Sequence, residues 1–435
     1  MGMRRTRFRV FFRHAFLTVL ALASMALSWL IWTNPARYER SHQQVTSEKV
    51  QSDQATREMS DVVTPTQVVY SNGEQKQSTV SNTKINLSHM IASKVGTWKM
   101  KNIRLVVKGN KERYLDYATD AKSVMLKYED NITGDIFNET FNQSLKMSDQ
   151  FGRILIPLDR GGQIYLLNDE NYNVYQIDVT NQDLTSIKSL VKKANIRNNV
   201  KEEILNHSLI TMYQDTVDAP YYSYQLNKLN SNLFVSNLLS AADSGSTNSK
   251  KTKEGTVYTD GRNSKRLVIR DNGTVQFNDS TRGTNSSNDL RTRIENSFSQ
   301  LRELGVPLDN MRYFNYISND NQIVFRSFVE GYPIFNKDDL GTVRVSGNNN
   351  DRQTDFSIYN LEIPMPAQKK SVSLPDTKTT LNQLQASGFD MDEVDGIQIG
   401  YTWEGNVKTD SSVNLVPSWY VHYKNKWVVV QNSNN

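Results

Sequence analysis

The chain has 435 residues, with 51 basic against 46 acidic side chains, a formal charge of +5 and no cysteine. The missing cysteine excludes thiol catalysis, thiolate metal sites, a lipoprotein anchor and any reliance on disulfides. Five of the arginines and none of the acids fall in the first thirteen residues, so the rest of the chain carries 46 charges of each sign and no electrostatic footprint for nucleic acid.

Arg4, Arg5, Arg7, Arg9 and Arg13 precede an uncharged run from Ala15 to Trp32. About 20 helical residues span a hydrocarbon core, so 14–33 is expected to be a transmembrane helix. Trp29 and Trp32 fall at the outer interface, Asn34-Pro35 ends the helix, and Arg4 and Arg5 keep the tail 1–13 in the cytoplasm. A cleaved leader is the alternative, but its nearest small-x-small site, Ala21-Leu22-Ala23, lies in mid-span. Leu17, Ala21, Ser24 and Ser28 share one face, and Ser24-x-x-x-Ser28 is a small pair that lets a second helix approach closely.

Residues 34–60 are polar and aperiodic and read as a juxtamembrane stalk. An extracellular N-terminal domain is expected over 61–215. Its strands are marked by β-branched and aromatic runs at 66–70, 103–107, 124–128, 154–157, 164–167 and 174–179, and a short helix by 184–194. A central α+β domain is expected over 216–335 and a C-terminal one over 336–435. The small, polar stretch 240–255 reads as a mobile loop, and 281–288 as a second one. In the helix that follows, Leu290, Ile294, Phe298 and Leu301 share a face, with Ser287 or Asn288 as cap and Gly305 as stop. Another helix is expected from Thr377 to Ser387, capped by Asp376, with Leu381 and Leu384 inward. Strand pairs before and after each helix suggest a duplicated ββ-α-ββ unit. The expected class is α+β with antiparallel sheets.

No G-x-S-x-G, H-E-x-x-H or P-loop is present. Ser189-Leu190-Val191-Lys192 matches S-x-x-K without its supporting elements. Asp390 to Gly396 is acidic, but Val394 and Asp395 fall where a calcium loop needs an oxygen ligand and a glycine, so a solvated turn is the better reading. His89, His207 and His422 stand without a partner at ligand spacing. Tyr221-Tyr222-Ser223-Tyr224 and Trp419-Tyr420 fit a core or interface better than a sugar platform. No catalytic residue, cofactor or metal is expected.

Several segments together resemble the YycH (WalH) family. These are Ala26 to Thr33 at the end of the span, Tyr258-Thr259-Asp260-Gly261, the run Val324 to Phe335 with its Phe325-Arg326 strand and Gly331-Tyr332-Pro333 turn, and Leu415 to Val421 followed by Trp427. The resemblance implies a non-enzymatic, membrane-anchored accessory protein. Its partners would be a YycI-like (WalI) membrane protein and the sensor histidine kinase YycG/WalK, which governs cell-wall homeostasis, with no nucleic acid involved. A module that binds wall glycan or teichoic acid is the alternative.

Overall fold

The computed structural model describes residues 57–430, apart from 75, 240–246, 283–288, 348–350 and 368. The expected tail and membrane helix lie outside the described residues, and with them Arg4, Arg5, Leu17, Ala21, Ser24, Ser28, Trp29 and Trp32. Among the described residues no helix is long and apolar enough to cross a membrane.

The first half is a nine-stranded antiparallel sheet. Its strands are β1 (Gln67–Asn72), β2 (Gln77–Ser81), β3 (Lys99–Val107), β4 (Lys122–Thr133), β5 (Gln150–Pro157), β6 (Gln163–Asn168), β7 (Asn173–Thr180), β8 (Ile196–Leu205) and β9 (Ser208–Tyr213). Their order is β3-β7-β6-β5-β4-β1-β2-β8-β9. Around it stand α1 (Met59–Val62), α2 (Leu87–Gly96), α3 (Lys111–Ala118), α4 (Gly134–Phe141) and α5 (Leu184–Lys192).

Successive strand side chains point to opposite faces, and here both faces are buried. Val68, Leu126, Ile154, Ile156 and Leu166 share one core with Ile91 of α2, Phe137 of α4 and Leu190 of α5. Val69, Met125, Leu155 and Leu167 share another with Tyr114 of α3 and with Ile397, Trp419 and Val421 from the far end of the chain. Each such side chain contributes roughly 1.5–3 kcal/mol by leaving water.

The sheet is also curled, and one side chain shows it. Arg153 of β5 is fully buried. Its Nε donates to Asp169 at 2.9 Å, its Nη1 to Glu202 of β8 at 2.9 Å and its Nη2 to the Leu209 carbonyl of β9 at 2.9 Å. In the sheet order β8 lies four places from β5. At ~4.8 Å per strand a flat sheet would hold them roughly 19 Å apart, beyond the reach of an arginine and a glutamate together. Burial works against the Arg153 charge, but Asp169 and Glu202 outweigh it and hold its pKa above the ordinary value. Thr211 donates to Glu202 at 2.7 Å, and the Glu202 amide donates to Gln77 at 3.1 Å.

The second half has β10 (Val217–Pro220), β11 (Tyr222–Lys228), β12 (Thr247–Lys251), β13 (Thr256–Asp260), β14 (Lys265–Ile269), β15 (Thr274–Asp279), β16 (Met311–Ile317), β17 (Gln322–Val329), β18 (Tyr332–Phe335), β19 (Thr342–Gly347), β20 (Arg352–Ser357), β21 (Tyr359–Met365), β22 (Ser371–Leu374), β23 (Val394–Glu404), β24 (Ser412–Tyr423) and β25 (Lys426–Val429). The sheet path is β12-β13-β14-β15-β20-β19-β17-β18-β23-β24-β11-β21, with β16 beside β17 and β25 beside β24. Its helices are α6 (Ser231–Leu238), α7 (Leu290–Leu304) and α8 (Thr377–Ala386). The class is α+β with mostly antiparallel sheets.

Leu290, Ile294, Phe298 and Leu301 of α7 are buried as their spacing predicts, and Gly305 ends the helix in the left-handed region. The cap is Asp289, not Ser287 or Asn288, because its carboxylate reaches the amides of Arg291 and Thr292. α8 begins at Asp376 as expected. The expected loop 240–255 is corrected in its described part: Thr247–Lys251 is an edge strand paired with β13. Main-chain pairing needs no apolar side chain, and lysines on such an edge deter further pairing. The strand groups interleave along the chain. β19 and β20 sit beside β17 and β15, and β11 joins β24. The strands expected before α7, β14 and β15, pair with each other, and so do β19 and β20, expected before α8.

Besides the core they share, hydrogen bonds tie the halves near β9 and near β4. Near β9, the Tyr213 amide donates to Thr377 Oγ1 at 2.8 Å, its ring stands edge-on to Trp419, and Asn206 donates to the Val394 carbonyl at 2.6 Å. Near β4, Asp130 accepts from the Tyr316 amide at 2.8 Å and the Tyr313 hydroxyl at 3.1 Å.

Two predictions follow from these buried charges. Arg153→Met strands Glu202 and Asp169, and should cost about 3–5 kcal/mol in urea denaturation; adding Glu202→Gln should restore part of the loss. For Asp130, burial lifts the carboxyl to about 6 against the hydrogen bonds that lower it, while the unfolded chain titrates near ~3.9. The folded state therefore holds this proton more tightly. The group favours folding below about pH 4, and that contribution is lost as pH rises through about 6. The stability of the wild type relative to Asp130→Asn should fall by on the order of 1–3 kcal/mol between about pH 4 and pH 7.

Candidate functional site: the cleft between the two halves

β17 and β18 are joined by Glu330-Gly331, whose φ values of 49° and 83° are both positive. Such a turn matches the strand twist and favours glycine. A Cβ on Gly331 would stand 3.0 Å from the Thr66 carbonyl. The tip of this hairpin therefore lies against the start of β1, in the other half of the protein.

Arg326 of β17 holds the hairpin in place. It is buried, donates to the Ile334 carbonyl at 2.9 Å and to Thr342 Oγ1 at 3.1 Å, and packs against the Phe314 and Phe335 rings, 4.7 and 4.4 Å from their centres. Phe335 stacks on Tyr420 at 4.0 Å. Burial, and then the like charge of Arg344, lower the Arg326 pKa to about 9, so it stays charged at neutral pH. Aromatic faces are its partners here.

Facing the hairpin, β1 and β2 pair only through Val69–Ser71 and Gln77–Thr79. Beyond that ladder Gln67 and Val68 diverge from Val80 and Ser81, each strand following its other neighbour. The loop 82–86 and the first turn of α2 border the opening. Asn82 Oδ1 accepts the Lys84 amide at 2.7 Å, and the Thr83 amide donates to Asn195 at 3.1 Å. The result is a cavity of about 80 Å³ bounded by the splayed strands, this loop, the hairpin tip, Tyr213 and Tyr224. A smaller one of about 20 Å³ lies behind Gln67, Tyr213, Gly331 and Tyr332, against Lys127 and Glu129. Burial lowers the Lys127 pKa and raises that of Glu129, whose carboxylate accepts from the Thr66 hydroxyl at 2.6 Å.

Of the other residues singled out in the sequence, Tyr224 lines this site and the rest stand apart from it. Trp419 is fully buried, and its Nε1 donates to the Pro375 carbonyl at 2.9 Å. Tyr420 and Tyr224 are also buried, so these aromatics form core and seam. Ser189 and Lys192 stand exposed on α5. Asp390 caps a short turn through the Asp392 amide. His422 is not solitary: it contacts Asp395 on the neighbouring strand and the Trp427 ring. Among the described residues no group of three or more His, Asp or Glu side chains is placed to hold a metal ion. Sequence reasoning missed the cleft. Its only sequence signal was the Glu330-Gly331 turn, and nothing in the sequence placed that turn opposite β1.

The family model of the YycH protein N-terminal domain matches residues 11–195, and that of its C-terminal domain matches 207–434. The crystal structure of YycH from Bacillus subtilis shares the fold with a TM-score of 0.70 at 18% identity, over 87% of this chain and 98% of that one. No curated protein matches. With both halves matched in order, the chain belongs to the YycH family.

Proposed function

We propose that the chain is a membrane-anchored, non-enzymatic accessory protein that modulates the sensor histidine kinase YycG/WalK through transmembrane and extracellular contacts. The observation that carries this reading is the ordered match to both YycH domains, the first of which begins at residue 11 and so includes the apolar run. On this reading residues 14–33 span the bilayer, 1–13 face the cytoplasm, and the domains divided at 215/216 and 335/336 lie outside the cell. A YycI-like (WalI) protein is the expected companion.

The mechanism is a population shift. A kinase that signals by moving its membrane helices between two arrangements is biased by any partner helix that packs better against one of them, by the difference in affinity. Leu17, Ala21, Ser24 and Ser28 form the face for that contact, where small side chains let helix backbones approach closely. The hydrogen-bonded seam between the two halves supports the reading, because a body tied at Asp130 and at Tyr213 passes a push to its anchor without bending in the middle.

Replacing Ala21, Ser24 and Ser28 together with leucine should reduce co-purification of the full-length chain with the kinase or its companion by about tenfold, and shift kinase output in cells. Unchanged capture together with unchanged output would overturn the contact face.

A further inference from the structure

The cleft between the two halves has the chemistry of a binding site that the proposed contacts leave unused. Eight of its side chains are hydroxyls or amides from Thr, Ser, Asn and Gln, and three are tyrosines, Tyr213, Tyr224 and Tyr332. Lys84 and Glu330 are its only charged side chains, one of each sign. The lining is therefore formally neutral and rich in both donors and acceptors, and of its three tyrosines Tyr332, the half-buried one, offers a ring on which an apolar ligand face can rest. The cavity of about 80 Å³ is well above the roughly 10–15 Å³ that a single water needs, so it has room for a small ligand group.

We propose that this cleft binds an uncharged saccharide, with one sugar ring seated between the splayed ends of β1 and β2 and the turn Glu330-Gly331. A free anion or cation would meet a lining with no net charge to favour it. An extended peptide would need a ladder of several open strand pairs, and the gap offers only Gln67-Val68 against Val80-Ser81. A sugar ring instead presents vicinal hydroxyls to side chains such as those of Ser81 and Ser88, and its C–H face to a tyrosine ring. Because the walls come from both halves, the bound ring would bridge them and strengthen the seam.

The test uses the full-length chain in detergent, titrated calorimetrically with N,N′-diacetylchitobiose and maltose, and with tri-alanine as the peptide arm. Ser81→Trp fills the opening of the cleft, and Tyr332→Phe removes one hydroxyl and keeps the ring. Saturable binding of either saccharide, weakened at least about tenfold by Ser81→Trp in a protein with an unchanged melting temperature, is the expected result. A smaller loss in Tyr332→Phe would add support. Failure of both sugars to bind at millimolar concentration would overturn the proposal, and so would binding of tri-alanine alone or binding indifferent to Ser81→Trp.

Discussion

Arg153 is the interaction on which the shape of the molecule depends. It joins β5 to β8 and β9 across the inside of a curled sheet, with Asp169 and Glu202 as its counter-charges. Burying a charge is costly unless it is paired and hydrogen-bonded, so the guanidinium and its acceptors hold the curvature within narrow limits. Curvature in turn sets where β9 ends, and the end of β9 receives the second half through Tyr213.

The second half then completes the first. The face of the sheet that carries Val69, Met125 and Leu155 shares its core with Ile397, Trp419 and Val421. Without those residues that apolar face would lose the cover the second half gives it. The two matched family domains therefore form one folding body, and their border is a seam closed at both ends and open in the middle. The cleft exists because β1 and β2 part company where a hairpin tip from the other half arrives.

Much of this was legible in the sequence where burial leaves a pattern. Runs such as Ile154–Pro157 and Ile164–Leu167 announce strands, and the spacing of Leu290, Ile294, Phe298 and Leu301 announces α7. Strands β2, β8 and β12 carry no such mark. Gln77 and Thr79, Lys201 and Glu202, and Lys250 and Lys251 read as polar loop, because these strands are specified by main-chain pairing and, at Glu202, by a buried ion pair with a residue 49 positions earlier in the chain. The helix α4 was hidden for a related reason: its eight residues, GDIFNETF, are too few to show a period. The cleft was illegible because its walls come from segments more than 200 residues apart, and no local pattern encodes their meeting.

The residues that carry the family resemblance explain what kind of protein this is. Phe325-Arg326 and Gly331-Tyr332-Pro333 resemble the YycH pattern, and in the structure they build the hairpin that crosses the seam. Arg326 is spent on the Ile334 carbonyl, Thr342 and two phenylalanine rings. Gly331 is required by a positive φ and by the nearness of Thr66, and Trp419 by the core. In this chain the residues that carry the resemblance serve packing, and that packing holds the two halves together.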